Sequence, residues 1–545
     1  MANVEESDNP SSSIQEPFLS KPYSPPPSIN EPTISDPDQS QFLQISYNSG
    51  PRPFKDIAFL ILFLLLLLCT FGFGIFAVVS HNPNSTIVSS FVYDSNSTSC
   101  VNDSLTTSFS NHPFPFTISL ALLSSSSDLV KVMVWTLVIT LILSGPLALF
   151  ILWLLKRYTK QLVYVSLPFF VLIPVSLNVY WFAACTVSST CSDDFPLAYR
   201  ILVFIFVFLV IAVLVWIIYI NWNRIELTVK IIGIAAHALS QNLGLFAVLP
   251  GLIVGLLVYY VPIVVFLVFA SRNGKIVARV KNEEYYCAWK VDSWVPAYYA
   301  FAIIHMLWSA SALIEAHTYV TSGTIAQWYF NKDGSTPKKS IRNSLRHAFG
   351  TSSGTICISG LLFLIVRMVR ALVDAARQEN NSTASGIINM ILQCCVNTLL
   401  SAIDFLNKFT INFAAITGEA YCTSAKMSYE LLKRNLLSAV FVETVSTRIL
   451  GGIVFVLSAV YAIAACGVVN GVSELGADSY FVGGMVWVLL IVILGYFVHV
   501  VDEVIESVYI CYAIDRDRGD VCKQEVHEVY VHLPISRLSH PSSLV

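Results

Sequence analysis

The sequence predicts an all-α polytopic integral membrane protein with about ten transmembrane helices, an in-plane amphipathic helix, and N- and C-termini in the cytosol. The chain has 545 residues, of which 55% are hydrophobic and 12% are charged, whereas soluble domains carry about 25% charged residues. Apolar runs long enough to cross a bilayer, which takes about 20 residues, recur along the chain. The net charge of −3 is too small to indicate a nucleic-acid partner. The expected environment is therefore the lipid bilayer.

The first segment, residues 1–55, is rich in Ser, Pro, Asp and Glu and has no periodic apolar residues. Such a segment cannot bury enough apolar surface to fold, so it is predicted to be a disordered cytosolic tail. The first apolar run begins at Ile57. We therefore expect no cleavable signal sequence, and the run 57–79 is predicted to stay as a membrane anchor.

The loop at 80–129 contains no Lys or Arg and carries three N-x-S/T sequons, at Asn84, Asn96 and Asn102. Cationic residues avoid translocated loops, and such sequons are glycosylation acceptors outside the cytosol. The loop is therefore predicted to be extracytosolic and glycosylated, which places the N-terminus in the cytosol.

The other nine predicted spans follow from hydropathy and from cationic loops on the cytosolic side, although the cationic residues of 272–290 and 367–377 fall on the predicted outer side. They cover residues 130–155, 162–184, 197–220, 249–270, 298–330, 347–373, 387–416, 442–469 and 481–501, the last helix continuing to about 512. Together with the first span they form a transmembrane domain at 56–512. The charged segment 513–545 is predicted to be a cytosolic tail.

Residues 229–249 admit two interpretations. Polar residues from His237 to Asn242 favour an amphipathic helix lying in the membrane plane. If the segment instead spans the membrane, everything after it has the opposite orientation. The sequons at Asn380 and Asn381 would distinguish the two, because only the ten-span arrangement places them outside.

Four of the 12 cysteines, Cys100, Cys185, Cys191 and Cys287, are predicted to lie at or beyond the outer surface. An even number in an oxidising compartment indicates one or two disulfides, with Cys185 and Cys191 close enough in sequence to form a local one. No cysteine and histidine spacing matches a metal site. We expect no metal and no other cofactor.

The chain is organised around the apolar stretch 298–330. Steps of three and four residues place one carboxylate and several aromatic residues on a common helix face. An ionisable group in a membrane helix is costly and is a candidate functional residue, and aromatic faces beside a carboxylate suit a quaternary ammonium ion. The alternative is a helix-packing seam with a satisfied polar group. The candidate substrate-binding residues are Tyr298, Phe301, His305, Trp308, Glu315 and Tyr319.

Other polar residues have simpler interpretations. Asp404 and Lys408 are spaced for an ion pair within one helix. The acidic residues Glu419, Asp502, Glu503 and Glu506 are predicted to reach water near cytosolic helix ends. The stretch 350–354 matches the hydrolase motif G-x-S-x-G, but it opens an apolar helix, so it is predicted to serve close helix packing. With no nucleophile or metal set, the chain is not expected to be an enzyme.

Four motifs resemble the choline transporter-like family: WYFN at 328–331, SLRHAFGTSSGT at 344–355, YCTSAKMSYELLKRN at 421–435 and CYAIDRD at 511–517. The acidic, Pro-rich N-terminal tail resembles that of a plant member. The resemblance implies movement of choline, and also of ethanolamine, across the plasma membrane or endomembranes such as the trans-Golgi network. It also implies that transport is not driven by sodium.

The competing hypothesis is a trafficking or scaffold protein that alters lipid composition without transporting choline. Neither the motifs nor the helix pattern predicts an oligomeric state.

Overall fold

The computed structural model describes residues 47–533, apart from gaps at 49, 95–98, 103–126, 188–190, 192–195, 282–283, 332–338, 380–385, 474–475 and 477. The chain divides into two units, residues 1–43 and 44–545, and the first lies outside the described residues. The helices are α1 (Ile57–Val79), α2 (Ser127–Val187), α3 (Leu197–Ile220), α4 (Trp222–Gln241), α5 (Leu245–Ser271), α6 (Val295–Tyr329), α7 (Ser340–Ala348), α8 (Ser353–Glu379), α9 (Gly386–Thr417), α10 (Tyr421–Val472), α11 (Asp478–Arg518) and α12 (Gln524–Tyr530). The strands are β1 (Phe91–Asp94), β2 (Ser99–Asn102), β3 (Gly274–Lys281) and β4 (Glu284–Val291).

Nine helices of the described chain are long and apolar enough to cross a membrane: α1, α2, α3, α5, α6, α8, α9, α10 and α11. The apolar part of α2 runs for 59 residues and breaks at Tyr158, where φ is −131° and ψ is 31°. Because one crossing takes about 20 residues, α2 supplies two, and the nine helices give ten crossings. The prediction of an all-α polytopic membrane protein is confirmed.

The helix α4 is not among the helices apolar enough to span. It buries one face, which includes Ile225, Ile232 and Leu239, and packs against α2 and α11. The predicted helix, 229–249, begins seven residues after the observed start of α4 and ends eight residues after its observed end. The chain turns at 242–244, and α5 begins at Leu245.

The predicted fifth span began at 249, next to Pro250, but Pro250 lies inside α5. A helix tolerates proline poorly because the ring removes the N–H that would bond the carbonyl four residues earlier. Here that carbonyl belongs to Phe246, and the hydroxyl of Tyr496 donates a 3.0 Å hydrogen bond to it. A side chain from α11 thus replaces the missing donor, and α5 continues through the proline.

Two antiparallel hairpins, β1–β2 and β3–β4, lie at one face of the helix bundle. A disulfide joins Cys100 on the first hairpin to Cys287 on the second, and the Asn82 N–H donates to the Arg272 carbonyl at 3.0 Å. One crossing precedes the first hairpin, and five precede the second if α4 does not cross. A crossing by α4 would put the hairpins on opposite sides, so their disulfide favours the ten-span arrangement, and the side of the membrane on which the hairpins lie stays a prediction.

The second disulfide joins Cys185 to Cys191, at the end of α2. The four cysteines predicted to lie at the outer surface are therefore the four that form disulfides in the described chain, and the prediction of disulfide bonding is confirmed.

The central helix is α6, which packs against α1, α5, α7, α8, α9 and α11. All residues from 315 to 329 except Gln327 are buried. Small and hydroxyl-bearing residues dominate this part of α6 (AHTYVTSGTIA at 316–326), and such residues let helix backbones approach closely.

Three boundaries differ from the sequence expectations. The predicted span 347–373 is divided into α7 and α8 by a turn at 349–352. The helix α11 continues to Arg518, beyond the predicted end near 512, and the short α12 packs against α4 and α11. Residues 47–55 were predicted to belong to a disordered tail, but Arg52 and Lys55 make side-chain contacts with the helices.

Candidate functional site

A cavity of about 470 Å³ lies among α6, α8, α9 and α11. Its volume is within the range of small-molecule sites, about 300–1,000 Å³. The lining combines carboxylates, cations and two phenyl rings. It consists of Ile314, Glu315, Thr318, Phe363, Arg367, Arg370, Ser401, Asp404, Phe405, Asn407, Lys408, His499 and Glu503.

Glu315 is a buried carboxylate held by neutral donors. Its Oε2 accepts a hydrogen bond from the Ser359 hydroxyl at 2.8 Å, and its Oε1 accepts one from the Asn407 amide at 3.2 Å. The Asn407 oxygen in turn accepts a 2.5 Å hydrogen bond from the hydroxyl of Tyr421. Side chains of α8, α9 and α10 therefore fix the position of a carboxylate on α6.

Glu503 is the second buried carboxylate, only 1% exposed. Its Oε1 accepts a 2.8 Å hydrogen bond from the Thr318 hydroxyl and lies 3.5 Å from His499 Nε2. Its Oε2 lies 3.1 Å from His317 Nδ1. This group joins α6 to α11 beside the cavity.

Three of the other charged residues that line the cavity form ion pairs between helices, and the fourth, Arg367, lies over the Phe363 ring. Asp404 of α9 pairs with Arg370 of α8 at 3.2 Å, and Lys408 of α9 pairs with Glu506 of α11. The predicted ion pair between Asp404 and Lys408 within α9 was therefore wrong, because each side chain meets an opposite charge on a neighbouring helix.

Glu315 and Glu503 make no ion pair with Lys or Arg in the described part of the chain. Hydrogen bonds from the neutral side chains of Ser359 and Asn407 stabilise the Glu315 carboxylate without cancelling its charge. Glu503 contacts Thr318 and two histidines, and a histidine is a cation only when it is protonated. The wall of the cavity thus carries two carboxylates without a Lys or Arg partner in the described chain.

The prediction that the acidic residues of α11 reach water was wrong for Asp502, Glu503 and Glu506, which are all buried. The reason is that α11 continues within the bundle past these residues. Glu419 agrees with the prediction, since its side chain is 40% exposed and pairs with Lys55 at 3.2 Å.

Sequence reasoning did not select His317, His499 and Asn407, and it assigned Glu503 and Glu506 to exposed helix ends instead of to the site. A signal for part of this set was present. His499, Glu503 and Glu506 follow one another at steps of four and three residues, which places them on one face of a helix. The same spacing argument that selected Glu315 could have selected them.

Of the six predicted substrate-binding residues, Glu315 lines this cavity and the other five do not. Trp308 is 2% exposed, donates its indole N–H to the Cys357 carbonyl at 2.9 Å, and meets Phe63 of α1 edge-on at 5.3 Å. In this conformation the face of α6 around Trp308 is a packing seam against α1 and α8.

Towards the start of α6, His305 Nε2 lies 2.6 Å from the hydroxyl of Tyr259 on α5. The hydroxyl of Tyr298 donates to the carbonyl of Thr70 on α1 at 3.1 Å, and Phe301 is half-buried. Neighbouring helices cover this end of the predicted aromatic face.

Towards the end of α6, Tyr319 donates its hydroxyl hydrogen to Ser352 at 2.8 Å and accepts a 2.8 Å hydrogen bond from Arg52. The side chain thus faces the segment that precedes α1. The role of all six residues in substrate binding stays a prediction.

The hydrolase motif at 350–354 is not in the context that a hydrolase needs. Ser352 lies in the turn between α7 and α8, whereas the nucleophile elbow follows a strand. The predicted close packing is present at Gly354, where an added Cβ would overlap the carbonyls of Lys55 and Asp56.

The predicted glycosylation sites are only partly described. Asn84 is exposed in a short 3₁₀ helix, Pro83–Thr86, and Asn102 ends β2. Asn96, Asn380 and Asn381 lie outside the described residues. Glycosylation of these sites stays a prediction.

Comparison with known proteins gives one family. A family model described as plasma-membrane choline transporter matches residues 205–517, which is more than half of the chain and includes every residue of the cavity. Choline transporter-like protein 3 of Homo sapiens is 24% identical over 329 residues, which are 57% of this chain and 48% of that protein.

Two further relatives are similar at the same level. Choline transporter-like protein 1 of Rattus norvegicus is 22% identical over 269 residues, 47% of this chain and 39% of that protein. A CTL-like protein of Dictyostelium discoideum is 22% identical over 242 residues, 42% of this chain and 43% of that protein. The chain spans less than half the length of each of these relatives. With ten apolar crossings in its described part and the match over 205–517, the chain is a multi-pass membrane protein that belongs to the choline transporter-like family.

Proposed function

We propose that this protein carries choline, or a related small organic cation such as ethanolamine, across a membrane by alternating access and without sodium coupling. The plasma membrane and the trans-Golgi network are the proposed locations. The cavity among α6, α8, α9 and α11 is the proposed part of the substrate path.

The observation that carries the proposal is the pair of buried carboxylates, Glu315 and Glu503, without a Lys or Arg partner in the described chain. A quaternary ammonium ion has no N–H group and cannot form a hydrogen-bonded ion pair. It is held instead by negative charge nearby and by aromatic faces. A site for such an ion needs both.

Two phenyl rings, Phe363 and Phe405, line the same cavity. The guanidinium carbon of Arg367 lies 4.7 Å from the centroid of the Phe363 ring and already occupies a face of it. We therefore assign Phe405 as the ring that contacts the methylated head of the substrate, with Glu315 of α6 as its carboxylate.

The aromatic face of α6 is kept as a second part of the proposed path. Alternating access moves groups of helices relative to one another around a fixed site. A conformation in which α1 separates from α6 would uncover Trp308, His305 and Tyr298. The proposal is thus that Phe405 and Glu315 act in the conformation described here, and the aromatic face in another.

The test is uptake of labelled choline by cells that lack their own choline carriers. Wild type, Glu315→Gln, a vector control and the matched variant Glu226→Gln are compared per molecule at the surface. Glu226 lies on α4, where its side chain is 43% exposed and 3.8 Å from Lys160. Loss of a desolvated charge contact of about 1.4 kcal/mol weakens binding roughly tenfold.

We expect the Michaelis constant of Glu315→Gln to rise by about tenfold or more, and that of Glu226→Gln to stay at the wild-type value. Unchanged transport in Glu315→Gln would contradict the site. No uptake by wild-type protein at the surface would contradict the function and favour a trafficking or scaffold protein.

A further inference from the structure

We propose that His317, His499 and Glu503 bind a divalent transition-metal ion at the wall of the cavity, with Zn²⁺ as the probe. Each residue offers one ligand atom, and the three atoms lie within 4.8 Å of one another. His317 comes from α6. His499 and Glu503 come from α11, where they are one helical turn apart. The inference does not depend on the proposed transport activity.

The spacing of the three groups fits a metal of this size. Zn²⁺ binds imidazole nitrogen and carboxylate oxygen at about 2.0–2.2 Å in tetrahedral geometry, which separates neighbouring ligand atoms by roughly 3.3 Å. His317 Nδ1 lies 3.1 Å from one oxygen of Glu503, and His499 Nε2 lies 3.5 Å from the other. Small side-chain adjustments would therefore complete the arrangement.

The types of ligand select the class of metal. Imidazole nitrogen favours Zn²⁺ and its neighbours in the first transition row, whereas Ca²⁺ and Mg²⁺ prefer sites made of oxygen. Two neutral imidazoles and one carboxylate bring a single negative charge, which offsets half of the charge of the ion. Three protein ligands would also leave one coordination position, and two of the three residues, His499 and Glu503, line the cavity.

Hydrogen bonding within the group leaves two atoms unsatisfied. Nε2 of His317 and Oε2 of Glu503 are buried and have no hydrogen-bond partner among the described residues. Buried polar atoms are paired in the great majority of structures. A ring with a spare nitrogen beside a carboxylate and a second imidazole can turn to present either nitrogen to an ion.

The surrounding charges do not oppose a divalent ion. Three cations line the cavity: Lys408, which pairs with Glu506, Arg370, which pairs with Asp404, and Arg367, which lies over the Phe363 ring. Glu315, on the same wall, has no cationic partner among the described residues and offsets the charge of Arg367. These charges cancel, so no net positive charge opposes an ion at His317, His499 and Glu503.

The test measures metal binding by the purified full-length protein in detergent, without choline, by titration with Zn²⁺. Absorption of bound Co²⁺ serves as a second readout that reports the ligand type. His499→Gln is the decisive variant because its side chain is 50% exposed and its loss leaves the Thr318 hydrogen bond to Glu503 in place. His317→Gln is the second variant, and His81→Gln, on an exposed residue after α1, is the matched control.

We expect one Zn²⁺ per chain, a dissociation constant at least tenfold higher in His499→Gln and His317→Gln, and a wild-type value in His81→Gln. The Co²⁺ complex should show the visible bands of a tetrahedral site in the wild type and lose them in His499→Gln. Wild type without bound metal, or equal affinity in His499→Gln, would overturn the site and leave the three residues as a hydrogen-bonded network.

Discussion

Gly360 of α8 packs directly against the backbone of Ala312 on α6, so closely that a Cβ on the glycine would lie 2.6 Å from the Ala312 nitrogen and Cα. Ser359 precedes this contact on α8, and Glu315 follows Ala312 by three residues on α6. The close approach therefore sets the 2.8 Å hydrogen bond from Ser359 to Glu315, and helix packing positions the carboxylate of the cavity.

The first prediction tests this contact with Gly360→Ala. The new methyl group has to push α6 and α8 apart, and overpacking of this kind costs about 1–3 kcal/mol. The matched control is Gly451→Ala, where no atom lies within 4 Å of the added Cβ and where alanine favours a helix by about 0.5–1 kcal/mol. Thermal unfolding of the purified protein should show a lower midpoint for Gly360→Ala only. A midpoint at or above wild type would contradict the packing.

Hydropathy was sufficient for the number of crossings because each span is a long apolar run, and ten predicted spans correspond to ten crossings. Hydropathy could not predict which helices pack against one another. Asp404 and Lys408 have the spacing of an intrahelical pair, but their partners, Arg370 and Glu506, come from helices whose order around α9 is a property of the tertiary fold.

The candidate site shows the same limit. Trp308 and Glu315 are seven residues apart on α6 and share a face, and both bond to α8, at Cys357 and Ser359. Only the carboxylate borders the cavity, whereas Trp308 packs against Phe63 of α1. Periodicity identifies a face of a helix, but the partner of each turn is set by the neighbouring helices.

The second prediction concerns the segment before α1. Arg52 donates hydrogen bonds to the Tyr319 hydroxyl at 2.8 Å and to the Ala415 carbonyl at 2.9 Å, near the end of α9. Arg52→Ala leaves these acceptors without their donor, which costs about 1–3 kcal/mol. Lys55→Ala removes a partly exposed ion pair with Glu419, and such pairs contribute about 1 kcal/mol or less.

We therefore expect Arg52→Ala to lower the thermal midpoint more than Lys55→Ala does. It should also speed proteolysis of the segment before α1. Equal midpoints for the two variants would show that the Arg52 contacts add nothing beyond an exposed ion pair.

The third prediction separates packing from substrate binding at Trp308. Trp308→Ala should destabilise the protein by about 3–5 kcal/mol, because it empties a buried site of its largest side chain. Trp308→Phe keeps most of the volume and loses the hydrogen bond to Cys357, a smaller cost of about 1 kcal/mol. If the residue only packs, Trp308→Phe will transport choline like wild type per molecule at the surface. A raised Michaelis constant in a stable Trp308→Phe protein would instead support the predicted binding role.

The fourth prediction uses the disulfide between the two hairpins to fix the orientation of the chain. Cys287→Ser should leave Cys100 as a free thiol at the face that carries both hairpins. The sequons and the absence of cationic residues in 80–129 predict that this face is extracytosolic. A membrane-impermeant maleimide applied to intact cells should therefore label Cys287→Ser above the background set by the double variant Cys100→Ser with Cys287→Ser, which keeps exposed free cysteines such as Cys394 and Cys395. Wild type should stay at that background. Extra labelling that requires permeabilised cells would reverse the orientation, and labelling of wild type above the double variant would show that the disulfide does not form.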